Sequence, residues 1–112
     1  MEKNVTEIKY VSAADFQTEV LDSAQPVLVD FTATWCSPCK MLDPVVKQLA
    51  QEWKGKARIV KLDVDRNPDL AMQYQVLGMP TLLLFVNGQS GQRLSGYQPK
   101  DRLVAKFGPF IS

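Results

Sequence analysis

The run Val27-Leu28-Val29-Asp30-Phe31-Thr32 is apolar on both faces except at Asp30. Such a strand belongs in the middle of a sheet covered on both sides, because either face left in water would expose a row of large aliphatic side chains. Directly after it comes Trp35-Cys36-Ser37-Pro38-Cys39-Lys40, which holds the only two cysteines of the chain. Leu42, Val45, Val46, Leu49, Ala50 and Trp53 then recur at helical spacing and form one continuous apolar stripe. Pro44 lies inside that stripe. It removes one backbone donor and crowds the carbonyl of Lys40, so a kink is expected there. Gly55 ends the helix.

The remaining periods alternate between strand and helix. Val5, Ile8 and Val11 mark a weak first strand. Ser12-Ala13-Ala14-Asp15 resembles a capping box with Asp in place of Glu, and Phe16, Val20 and Leu21 give a short apolar helix face. Ile59 to Val64 is a further strand. Asn67-Pro68 caps a short helix whose Leu70, Ala71 and Tyr74 face the core. Thr81 to Val86 is a buried strand, Asn87-Gly88 supplies a hairpin turn, and a short partner strand is expected around Arg93 to Ser95. Pro99 opens a last helix with Leu103, Val104 and Phe107 inward, ended by Gly108-Pro109. The order βαβαβαββα predicts one α/β domain over residues 1–112, a central sheet with helices on both faces.

Several function classes drop out on composition. The net charge is +1 with both signs dispersed, so no basic patch argues for nucleic acid or anionic lipid. The longest apolar run, Leu82 to Val86, is too short to span a membrane. No apolar segment follows Met1-Glu2-Lys3-Asn4, so no secretory signal is visible and a cytoplasmic protein is expected. The chain has no histidine, which removes Ser-His and Cys-His nucleophile pairs and imidazole-bound zinc. Two thiolates cannot close a tetrahedral zinc site within one chain; only a dimer would supply four. A structural disulfide is the blander alternative, but it would not persist in a reducing compartment, and its short loop constrains little of the unfolded chain.

The position of the pair gives it chemistry. Cys36 is expected at the N-terminus of the long helix, where unpaired N–H groups and the positive end of the dipole favour a thiolate and lower the thiol pKa. Cys39 lies three residues on, and helix positions so spaced have Cβ atoms about 5–6 Å apart. A disulfide wants about 3.5–4.5 Å, so a small adjustment in the first turn closes the bond. Cys36, expected at the exposed end, would attack a substrate disulfide, and Cys39 would then attack the Cys36 sulfur and release reduced substrate. Pro38 suits the first turn because its missing N–H has no helical partner. A Cys-x-x-Cys that follows a buried strand and opens a helix points to redox exchange. Asp30, a lone carboxylate in an apolar strand, is costly to bury charged, so its pKa is expected to rise. That suits a base able to take a proton from Cys39. On the residues alone, a carboxylate at a sheet edge or bonded locally is an equal reading. Lys61 is the candidate cation for Asp30, and taken by itself it reads as a solvated strand lysine.

Together these residues resemble the thioredoxin family. The resemblance is carried by Val29-Asp30-Phe31, Ala33, Trp35-Cys36, Pro38-Cys39-Lys40-Met41, Pro44, Lys61 to Asp65, Asn67-Pro68, Gly78 to Phe85, Asn87-Gly88 and Gly96. It runs from about Val5 to Phe107. It implies the thioredoxin fold: a central five-stranded mixed sheet flanked by four helices. It implies that Asp30 is the buried acid, paired with Lys61, and that Met79-Pro80 has a cis peptide bond lying against the cysteines. There the Met79 backbone would pair with an extended substrate strand. By itself, Pro80 also fits an ordinary strand start. Trp35 resembles the aromatic beside the active site, and Gly78 and Gly96 would leave room on the docking surface.

Two residues depart from the family pattern. Ser37 stands where Gly is usual, and its hydroxyl either donates to a sulfur or faces water; a shifted reduction potential is expected. Thr32 stands where a tryptophan usually lies under the active-site loop, so aromatic packing there is reduced. The polar Gln89-Ser90-Gly91-Gln92 turn is a further, smaller difference.

The expected activity is that of a monomeric protein-disulfide reductant; no bound cofactor is expected, because no phosphate-binding glycine loop is present, and no metal, because the chain has no histidine and only two cysteines. The resemblance implies disulfide-containing protein substrates and a thioredoxin-reductase-type electron donor, either an NADPH-dependent flavin enzyme or a ferredoxin-linked one. Three other readings remain at this point: a disulfide oxidase or isomerase, a binding module that uses the surface at Met79-Pro80, and a specialised relative with one dedicated partner.

Overall fold

The computed structural model describes residues 8–111. Val5, assigned to the first strand, lies outside them. Five strands form one sheet: β1 (Lys9–Val11), β2 (Val27–Thr32), β3 (Arg58–Asp63), β4 (Thr81–Val86) and β5 (Gln89–Ser95). Their order across the sheet is β1-β3-β2-β4-β5. β3 pairs in parallel with both β1 and β2, whereas β4 is antiparallel to β2 and to β5. Among the described residues four helices flank the sheet, α1 (Gln17–Leu21), α2 (Ser37–Glu52), α3 (Pro68–Gln73) and α4 (Lys100–Phe107), and a single 3₁₀ turn (Gly108–Phe110) follows α4. This is the five-stranded mixed sheet with four helices that the thioredoxin resemblance implies, and the sheet covered on both faces that the residues predict.

β2 is the middle strand, and all six of its residues are buried. Its alternation sorts the core into two layers. Val27, Val29 and Phe31 join Phe16, Val20 and Ala71 on the α1 and α3 side. Leu28 joins Leu42, Val46 and Leu49 of α2 and Leu103 and Phe107 of α4 on the other. By the same alternation Asp30 points toward the α2 side. Tyr74 packs edge-on against Phe85, with ring centroids 5.2 Å apart, so the aromatic cluster closes the α3 side.

Four local expectations are corrected. Val104 is 40% exposed, not inward. Leu103 and Phe107, one turn apart, already fill the buried stripe of α4, and Val104 lies about a quarter-turn away from Leu103. β5 begins at Gln89, not near Arg93, so Gln89 to Gln92 belong to a strand. Its polar side chains hid it, because a strand at a sheet edge is held by backbone pairing and need not bury its side chains. A register irregularity opposite Leu83 to Phe85 also breaks its alternation. Asn67 does not cap α3 with its side chain. Its amide instead accepts from the Ala13 N–H at 2.8 Å and donates to the Asp63 carbonyl at 3.0 Å, tying the loop after β1 to the end of β3. The Ser12–Asp15 box is half formed: the Ser12 N–H donates to Asp15 Oδ1 at 2.6 Å, and the short helix beyond closes with a wide Asp22 N–H to Gln17 carbonyl bond of 2.8 Å.

The hairpin turn falls on Asn87 and Gly88, with φ of 54° and 79°. At Gly88 an added Cβ would lie 2.8 Å from the Leu21 carbonyl oxygen. Gly88→Ala therefore combines a left-handed backbone with a backbone clash. It is expected to destabilise the fold by about 1–3 kcal/mol, read as a lower urea midpoint at constant slope. An unchanged midpoint would show that the turn yields freely.

Candidate active site

Cys36 is the N-cap of α2, with extended backbone at φ −92°, and Pro38 sits in the first turn. Cys36 and Cys39 are joined by a disulfide, with Cα atoms 5.3 Å apart. That separation lies in the ordinary range for a disulfide. The Cys36 sulfur accepts the Cys39 N–H at 3.2 Å and satisfies one of the unpaired donors at the start of the helix. Cys36 was expected at the exposed end; in this oxidised form it is only 4% exposed. Bonding to Cys39 and capping α2 turn its sulfur into the first turn, beside Ala33 in the apolar cluster.

Ser37 is exposed, and among the described residues no hydrogen bond joins its hydroxyl to either sulfur, so the water-facing alternative holds. Trp35 lies just before the pair, 65% exposed, and its indole Nε1 donates to Asp65 Oδ2 at 2.7 Å. That anchor was not foreseen. Asp65 stands in the Lys61 to Asp65 run, but nothing local marks it as the partner of a residue in another loop.

The Met79–Pro80 peptide bond is cis. Met79 packs against the apolar cluster that contains both cysteines. The loop is braced by Thr81 Oγ1 donating to the Gly78 carbonyl at 2.6 Å and by the Gly96 N–H donating to the Pro80 carbonyl at 2.7 Å. Gly96 has φ of 82°, a backbone that disfavours side chains. At Gly78 an added Cβ would meet nothing within 4 Å, so no contact inside the chain requires glycine there.

Asp30 is 1% exposed, and among the described residues neither carboxylate oxygen has a hydrogen-bond partner. Burial pushes its pKa up to about 7, against a pull down from Lys61 and a further push up from Asp43. Lys61 stands opposite Asp30 in the β2–β3 register. The expected ion pair between the two is not made. Lys61 Nζ instead donates to Asp43 Oδ1 at 2.5 Å and lies 5.6 Å from the centroid of the Tyr10 ring. Burial opposes the charge of Lys61, but the Asp43 hydrogen bond and charge prevail and hold its pKa above the ordinary lysine value. Asp43 lies off the apolar stripe of α2, and nothing in its neighbouring residues marks it as the partner of a lysine on β3. A cavity of about 220 Å³ is lined by Cys39, Thr32, Asp43 and Lys61 among others, so the buried Thr32 borders open space beside the second cysteine.

No group of three residues suited to hold a metal occurs among the described residues. No described helix is long and apolar enough to cross a membrane.

The thioredoxin family model matches residues 7–108. A thioredoxin of Chlorobaculum thiosulfatiphilum is 48% identical over 105 residues, covering 92% of this chain and 97% of that one. A thioredoxin of Staphylococcus aureus is 50% identical over 94 residues, covering 84% of this chain and 88% of that one. With the cysteine pair at the head of α2, these relations make the protein a thiol–disulfide oxidoreductase with protein-disulfide reductase activity. The chain belongs to the thioredoxin family.

Proposed function

We propose that this chain works in the cytoplasm as a monomeric, single-domain protein-disulfide reductant, without a bound cofactor, and that a thioredoxin-reductase-type enzyme recharges it. The observation that carries the reading is a disulfide at the N-terminus of a 16-residue helix with a buried, unpartnered carboxylate beneath that helix. Once reduced, Cys36 at the N-cap is stabilised as thiolate by the helix dipole and attacks a client disulfide. Cys39 then gives its proton to Asp30 and attacks Cys36. Lys61 tunes that acid through its charge. Ser37 and Pro38 set the geometry of the first turn, and Thr32 leaves space beside Cys39.

Clients dock as extended segments along Met79, beside Trp35 and Pro80. Gly78 and Gly96 keep the approach open, and the free space around Gly78 supports that use. Reduction of insulin by the protein, driven by NADPH with a thioredoxin reductase or by reduced ferredoxin with its linked enzyme, tests the reading. Expected is catalytic reduction with one of the two donors, and a reduction potential well below that of the glutathione pool. A potential above that pool, with no turnover from either donor, would instead fit an oxidase or isomerase.

A further inference from the structure

Asp43 lies one helical turn beyond Cys39, on the same face of α2. It is one-third exposed, whereas Lys61 is buried. One lysine therefore stands between two carboxylates and gives its hydrogen bond to the outer one. The inner one, Asp30, faces it across the β2–β3 register with both oxygens unpartnered among the described residues. Cys39, Asp43 and Lys61 border the same cavity of about 220 Å³, so the ion pair sits where the resolving sulfur meets open space.

We propose that Asp43 is a positioning residue for disulfide exchange: it holds the Lys61 ammonium away from Asp30. The inference rests on Asp30 accepting the proton of Cys39. In that step the Cys39 S–H bond breaks and its proton passes to Asp30. The sulfur electron pair forms the Cys36–Cys39 bond, the Cys36–client disulfide breaks, and the departing client sulfur carries the electron pair and takes a proton from solvent. The dithiol has then lost two electrons and one client disulfide has gained them. A lysine bonded to Asp30 would stabilise its carboxylate and weaken it as a base. Asp43 prevents this by offering a closer partner at the rim.

The groups that bear on Asp30 are few. Lys61 faces it from β3; α2 contributes Asp43 and Cys39, with Lys40 at the cavity wall; β1 contributes Tyr10 beyond the lysine. Leu82, its neighbour on β4, adds no charge.

In the oxidised protein neither cysteine titrates, so the Asp30 carboxyl carbon can be followed by ¹³C NMR against pH. Asp43→Asn and Asp43→Ser are expected to lower its midpoint by about half a unit or more. Asp43→Glu restores it, and the shift shrinks in a Lys61→Met background. Midpoints unmoved in both Asn and Ser variants overturn the proposal, and so does a shift of full size without Lys61. Failure of the underlying reading looks different. If the midpoint moves but the pH profile of mixed-disulfide resolution does not, Asp43 governs the charge of Asp30 and Asp30 is not the base.

Discussion

Cys39→Ser is expected to stop turnover while leaving client capture intact. Cys36 alone completes the first exchange and forms a disulfide with the client. Without a second sulfur at the next position on that face, nothing inside the chain releases it. Insulin reduction should fall by about three orders of magnitude or more, and mixed disulfides should accumulate on non-reducing gels and dissolve with added dithiol. Cys36→Ser should lose activity equally but trap nothing, because Cys39 lies inside the first turn of α2 whereas Cys36 caps its open end. The contrast between the two variants carries the assignment. Equal trapping by both would make the sulfurs interchangeable and remove the assigned order of attack.

Asp30→Asn is expected to stabilise the oxidised protein above about pH 4, by an amount that grows until about pH 7. The carboxyl has a pKa of about 7 in the fold against an ordinary value of 3.8. Below about pH 4 it is protonated in both folded and unfolded chains, and the raised pKa costs nothing. Between about pH 4 and 7 the unfolded chain loses the proton while the folded one keeps it, so stability falls as pH rises. Above about pH 7 the whole penalty, about 4 kcal/mol, is present. Asparagine cannot ionise and escapes it. Urea midpoints should therefore diverge from pH 4 to pH 7 and run parallel above. Midpoints that differ equally at every pH would mean that Asp30 ionises without cost. In the same variant, mixed-disulfide resolution near pH 7 should slow by about 10²-fold, while Cys36 attack changes little. A destabilising acid kept in the central strand then has its explanation in the chemistry of the second half-reaction.

Much of this was legible in local pattern. The doubly apolar β2, the stripe of α2 and the Asn87-Gly88 turn each place an element by the side chains of a few neighbouring residues, and those placements hold. The misreadings have two physical origins. β5 is polar at its start and takes its place by pairing with β4, and Asn67 accepts from Ala13, 54 residues away, so the deciding neighbour comes from another element. Val104 lies just off a stripe of its own helix already filled by Leu103 and Phe107.

The active site divides along the same line. Periodic burial and the spacing of Cys36 and Cys39 are properties of consecutive residues, so the amino-acid order alone determined an α/β sheet with a redox pair opening its longest helix. Which carboxylate Lys61 bonds was decided only in three dimensions. Asp43 and Lys61 are 18 residues apart in the chain. The packing of α2 over β3 brings the Asp43 oxygen within reach of the ammonium, while Asp30, next to the lysine in the sheet, is left without a partner among the described residues.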